Sequence, residues 1–193
     1  MEKQDILEPD CFYHIYNRGN NKENLFIEDE NYFHFLKLIQ IHLVDIAEIY
    51  SYCLLKNHFH LVLKIKTIEE LQEKNASKNN LSQPFSNLFN AYTKAINKRH
   101  NREGSLFKER FKRERIITTE YLKNVIVYTH LNPVKHNFQN TYSDYQYSSF
   151  QSILSEKPTL LMRKEVIDLF GDKENLIYYH DEILKKGHFE NFD

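Results

Sequence analysis

The chain has 193 residues, which suits one domain with a sizeable core and a small appendage. Its 41% hydrophobic content excludes a disordered chain, and no apolar run approaches a bilayer span. The formal net charge of −1 hides an asymmetry, because residues 94–136 carry 11 Lys/Arg against 4 Asp/Glu. Such a concentration suits a polyanion, since lysine and arginine neutralise phosphates and release counterions; a solvated surface is the alternative. Two cysteines, Cys11 and Cys53, read as small buried residues in strands, neither a disulfide framework nor a zinc set. The opening "MEKQDILEPD" is acidic and lacks an apolar signal core, so a cytoplasmic location and no membrane partner are expected.

"CFYHIYNRGNN" begins as a strand and ends in a Gly/Asn turn. Phe33, Leu36, Ile39 and Leu43 then recur at helical spacing, predicting a helix over about Glu30–Asp45 with Asp29 as its cap. "EIYSYCLL" and "HFHLVLKI" read as strands joined by a tight "KN" turn. "TIEELQEKNASKNNLSQ" predicts a short helical turn and a polar loop, and "PFSNLFNAYTKAINKRH" a helix with Pro84 in its first turn. After the "NREGSLF" loop, the second half of "KERFKRERIIT" alternates like a strand. "TTEYLKNVIVYTHLN" is a helix capped by Thr118 or Thr119 and expected to end near Pro133. The order β-α-β-β-α-β-α predicts an α+β domain, an antiparallel sheet with helices on one face. Beyond "YSDYQYSSF" the chain turns acidic and helical, so residues 1–150 are read as the domain and 151–193 as a C-terminal helical extension.

The chemistry starts at "KNHFHLVLK". In a strand His58 and His60 project side by side, while Phe59 and Leu61 point the other way. Two imidazoles on one face can bind a divalent metal, or can be half-buried polar residues. In "YLKNVIVYTHLNPVK", Tyr128 and Asn132 stand four apart on one helix face. If that helix packs over the sheet, two imidazoles and an amide oxygen can hold Mg²⁺ or Mn²⁺ beside a phosphodiester, with the tyrosine hydroxyl as candidate nucleophile.

"HFH" resembles the His-hydrophobic-His motif of the HUH endonucleases, and "YLKNVIVYTHLNPVK" resembles the catalytic helix of their single-tyrosine transposase branch. The nearest likeness is to the REP-associated tyrosine transposases. It runs from about Phe12 to about Phe150 through "YHIYNRGNN", "YCLLKNHFHLVL", "GSLFKERFK", "EYLKNVIVYTHLNPVKH" and "DYQYSSF", in that order. The resemblance implies a ferredoxin- or RRM-like sheet. It implies His58 and His60 as metal ligands, Asn132 as the third, and Tyr128 as the nucleophile. It also implies cleavage of single-stranded DNA near a hairpin, leaving a 5′-phosphotyrosine and a free 3′-hydroxyl, by a monomer or a homodimer. Lys56 stands where that family often has proline, and Glu109 where it commonly has glycine; Glu109 is expected to alter DNA contacts.

Tyr121 is the rival nucleophile, seven residues earlier on nearly the same face, and reads better as a packing residue. His130 faces elsewhere on the helix and reads as a partly buried polar residue. Arg18, in the turn after the first strand, is a candidate phosphate or base contact. Arg110, Lys112, Arg113 and Arg115 are candidate DNA contacts: Lys112 shares one face with Glu114, and Arg113 shares the other with Arg115. Phe107 and Phe111 are expected to pack rather than stack on bases. A binder that recognises hairpins without cutting is the main alternative, and a zinc hydrolase using His58 and His60 is a weaker one, lacking a nearby carboxylate. The acidic tail is a candidate cover for the DNA groove.

Overall fold

The structure, a computed structural model, describes residues 6–76 and 80–187. Part of the expected polar loop (77–79) and the end of the acidic tail (188–193) lie outside the described residues. Four strands, β1 (Phe12–Arg18), β2 (Ala47–Leu55), β3 (His58–Ile65) and β4 (Lys112–Ile116), form one antiparallel sheet in the order β2-β3-β1-β4. Lys56 and Asn57 make the β2–β3 turn as expected.

Helices cover both faces of the sheet rather than one. Under the first face lie α1 (Asp29–Leu43) and α3 (Gln83–Arg99), packed on Tyr13, Ile15, Phe59, Leu61 and Leu63. On the second lies α4 (Thr119–Lys135), whose Val125 and Tyr128 share a core with Val62, Tyr50 and Ile116. The cause is visible in β3, where Phe59 through Leu63 are all buried. A strand buried on both faces reads as a continuous apolar run rather than an alternation. Phe107 and Phe111 pack in the first core. Cys53 is buried in β2, while Cys11 is half-buried just ahead of β1.

The helix ends follow capping chemistry. At α1 the cap is Glu28, one residue before the expected Asp29, in a reciprocal capping box with Asn31. Thr118 caps α4, its hydroxyl accepting from the Tyr121 N–H at 3.1 Å. The expectation that α4 ends near Pro133 is corrected: the helix runs through the proline to Lys135. Proline removes only its own N–H bond to the preceding turn. The helix closes beyond it through His136 N–H to Asn132 O at 3.0 Å and Phe138 N–H to Pro133 O at 2.8 Å.

Between the strands and these helices come α2 (Ile68–Glu73), and after α4 come α5 (Phe150–Leu154), α6 (Arg163–Phe170) and α7 (Lys173–Lys186). Phe150, Val166 and Leu176 extend the second core outward from α4. A fully buried relay ties these layers together. His180 Nδ1 donates to the Leu176 carbonyl at 2.8 Å, which leaves its Nε2 to accept from His130 Nδ1 at 2.9 Å. His130 Nε2 in turn accepts from the Ser149 hydroxyl at 2.8 Å, and that oxygen accepts from the Tyr52 N–H at 2.9 Å.

Every group in the relay is satisfied with both imidazoles neutral, and burial holds both below the usual histidine range, His180 at about 4. The folded state therefore binds fewer protons than the unfolded chain. Stability is full above about pH 6.5, the unfolded value, and is lost as pH falls from there through about 4. Thermal melts should show this loss between pH 6.5 and 4, and a His180→Leu chain should show much less of it; an equal loss in both would refute the assignment.

Candidate active site

The second face of the sheet carries the site. His58 and His60 lie there on β3, with ring centroids 5.2 Å apart and planes nearly perpendicular. Each ring is oriented by a neighbour. The Asn57 side-chain oxygen lies 2.7 Å from His58 Nδ1; since that oxygen only accepts, Nδ1 carries the proton and Nε2 the lone pair. His60 Nδ1 shares a hydrogen bond of 2.9 Å with His14 Nε2. Such partners fix the tautomer and raise ligand basicity. Tyr16 stacks on both His14 and His60 at 4.8 and 5.7 Å, and its hydroxyl donates to Glu114 at 2.8 Å.

The sheet register explains this wall. β1 places His14, Tyr16 and Arg18 on one face by strict alternation, with Tyr16 opposite His60 and Arg18 opposite His58. Gly19 closes the end of β1: a Cβ there would meet the Glu23 carbonyl oxygen at 1.9 Å, so no side chain fits. Its N–H donates to the Asn57 carbonyl at 2.8 Å, which pins the β1 end to the turn that orients His58.

From above, α4 and its C-cap lay Tyr128, Asn132 and His136 along one line, a turn apart. The Tyr128 ring stands edge-on to His60 at 5.6 Å and to His14 at 6.1 Å. The His136 ring stands edge-on to His58 at 4.8 Å. Asn132 falls between them, fully buried. Its Nδ2 donates to the Tyr128 carbonyl at 2.9 Å, while its Oδ1 is buried with no hydrogen-bond partner among the described residues. An orphaned buried acceptor costs about 1–3 kcal/mol, and a cation would satisfy it. Among the described residues no three His, Cys, Asp or Glu side chains are placed to hold a metal ion. A metal here takes two imidazoles and the amide oxygen, a set that fits a hard or borderline divalent ion with open positions for oxygen ligands.

Tyr128 is 3% exposed, and its hydroxyl accepts a hydrogen bond from Lys135 Nζ at 3.1 Å. Tyr121, a half-exposed residue, packs at the edge of the second core instead.

A cleft of about 550 Å³ opens beside the histidines. Arg18, Lys22, Lys108, Arg110 and Lys112 line it, with Glu109 as its acidic residue. None of its lining comes from beyond His136, and α6 and α7 pack against the far side of α4, so the described part of the acidic tail does not cover it. The structure thus brings Arg18, Arg110 and Lys112 to the site. It does not bring Arg113 and Arg115, which face away: Arg113 donates to the Ser82 hydroxyl at 2.6 Å and lies over Phe111, and Arg115 pairs with Glu8 at 2.6 Å. Sequence reasoning missed His14, Tyr16, Asn57, Lys135 and His136.

No protein-family model matches the chain, and no curated protein does. Among solved structures it aligns with that of a REP-associated tyrosine transposase bound to a REP hairpin, over 82% of this chain and 88% of that one, with a TM-score of 0.64 and 17% identity. Among the described residues no helix is long and apolar enough to cross a membrane. The antiparallel sheet with helices on both faces has the fold of that transposase.

Proposed function

We propose that this protein nicks and rejoins single-stranded DNA beside hairpins, as a metal-dependent, transposase-type enzyme with Tyr128 as nucleophile. The observation that carries the reading is the convergence of Tyr128 on His60, with the orphaned Asn132 oxygen one turn along and a basic cleft alongside. The likeness to a hairpin-bound transposase supports it.

Mg²⁺ or Mn²⁺ bound by His58, His60 and Asn132 would polarise the scissile phosphodiester. The chain's own groups do the rest. Tyr128 Oη attacks phosphorus and the P–O3′ bond breaks. The phenol proton passes to water, and the released 3′-oxygen takes one from water. The tyrosine is left joined to the 5′-phosphate, a bond of similar energy, so a 3′-hydroxyl can reverse the step without an external energy source. Arg18, Arg110 and Lys112 hold the strand by its phosphates.

Binding without cleavage is the second reading, and the near-complete burial of Tyr128 in the DNA-free chain favours it. A labelled single-stranded hairpin incubated with the protein and Mn²⁺, then boiled in SDS, separates the two. A covalent protein–DNA band supports the enzyme; a hairpin that binds and leaves no band supports the binder.

Binding should weaken linearly in log K against log salt, with a slope near −0.7 per phosphate neutralised on a single strand. Lys112→Ala and Arg110→Ala should each flatten it by roughly that amount, because both line the cleft. Arg115→Ala should leave it unchanged, and Glu109→Gln should tighten binding severalfold by removing a carboxylate from the path. A slope that responds to Arg115 and not to Lys112 would move the DNA to the opposite face.

A further inference from the structure

We propose that Lys135 is a second catalytic residue of this site: its ammonium group holds the Tyr128 oxygen and stabilises the negative charge that gathers there during attack and again during departure. The assignment rests on the reading of Tyr128 as nucleophile.

The geometry comes from the unexpected length of α4. Lys135 lies seven residues, two turns, beyond Tyr128, and reaches it only because the helix continues past Pro133. Its Nζ donates to the Tyr128 hydroxyl at 3.1 Å and lies 4.5 Å from the ring centroid. Lysine side chains on a helix lean toward the N-terminus, so Lys135 folds back over the tyrosine it follows.

The chemistry needs a group in this place. A metal held by the histidines and Asn132 spreads charge over the phosphoryl oxygens. The phenol oxygen lies on the other side of the forming bond and needs its own stabilisation. A phenol with pKa ~10 reaches phosphorus as a neutral hydroxyl at pH 7 and must shed its proton as the O–P bond forms. On rejoining, the same oxygen is the leaving group and takes back the electron pair of the breaking O–P bond. A preorganised cationic donor favours the charged oxygen in both directions. Tyr128 is almost fully excluded from water, which strengthens that interaction. Lys135 stays protonated throughout and consumes nothing.

Single-turnover assays with a labelled hairpin and Mn²⁺ test the role. Lys135→Ala should slow formation of the covalent adduct on the order of a hundredfold, the usual effect of losing one such donor. Hairpin affinity should change little, since Lys135 does not line the cleft. Lys135→Arg, still a cationic donor, should recover most of the rate. Methylammonium added to Lys135→Ala should restore activity in proportion to its concentration, and tetramethylammonium, which has no N–H, should not. A lysine that only props the helix gives no such rescue.

An adduct formed by Lys135→Ala at the wild-type rate would overturn the proposal while leaving Tyr128 as nucleophile. So would a loss that neither arginine nor methylammonium relieves. A wild-type chain that forms no adduct would remove both roles together. Should Lys135→Ala fail to fold, Lys135→Met against Lys135→Arg gives the same comparison.

Discussion

Tyr128→Phe should abolish covalent linkage to DNA altogether while leaving the fold and hairpin binding in place. The substitution removes one oxygen and keeps the ring that stands edge-on to His60 and His14. The loss to stability is one hydrogen bond, that from Lys135, on the order of 1 kcal/mol. The loss to chemistry is complete, because phenylalanine has no nucleophile. Tyr121→Phe is the control, and it should keep the linkage, since that side chain packs at the edge of the second core rather than against the histidines. Mass spectrometry of the trapped adduct should find the DNA remnant on Tyr128. A modified Tyr121 beside an untouched Tyr128 would reverse the assignment and take the role of Lys135 with it.

What could be read in advance, and what could not, follows from the range of each interaction. The alternation that placed His58 and His60 side by side is local, and it holds. The same rule applied to "YHIYNR" places His14, Tyr16 and Arg18 on one face, and so finds two further residues of the aromatic wall. That signal was present and went unused. The phase of β4 was a different matter. Alternation splits Lys112 from Arg113, but only pairing with β1, about a hundred residues earlier in the chain, puts Lys112 opposite Tyr16 and on the histidine face. A charge run carries no trace of that register. The two-sided burial of the sheet was written in the unbroken "FHLVL" of β3, which a one-sided reading overlooked. Pro133 misled because its effect is confined to one hydrogen bond, whereas the residues beyond it, Lys135 and His136, complete the site. The pairing of His130 with His180 spans 50 residues between two helices, and nothing local announces it.

His58→Ala and His60→Ala should each abolish cleavage and eliminate measurable Mn²⁺ binding, with hairpin affinity nearly unchanged. The separation is expected because phosphate contacts dominate affinity for nucleic acid, and the basic side chains that supply them line the cleft independently of the imidazoles. Calorimetry with Mn²⁺ and no DNA reads the metal site without reference to activity. Asn132→Ala should weaken Mn²⁺ binding in the same titration, because it removes the buried oxygen that has no other partner. It should also cost stability, through the Nδ2 bond to the Tyr128 carbonyl. Asn57→Ala and His14→Ala act one step further out. Each leaves a ligand in place but frees its ring to turn and loses the partner that sets its tautomer, so a loss of roughly 10- to 100-fold in metal affinity is expected. That gradation, from complete at the two histidines to partial at their supports, distinguishes a coordination centre from a mere cluster of aromatic rings. Equal Mn²⁺ affinity in His58→Ala and the wild type, or cleavage at the wild-type rate in EDTA, would rule the metal centre out.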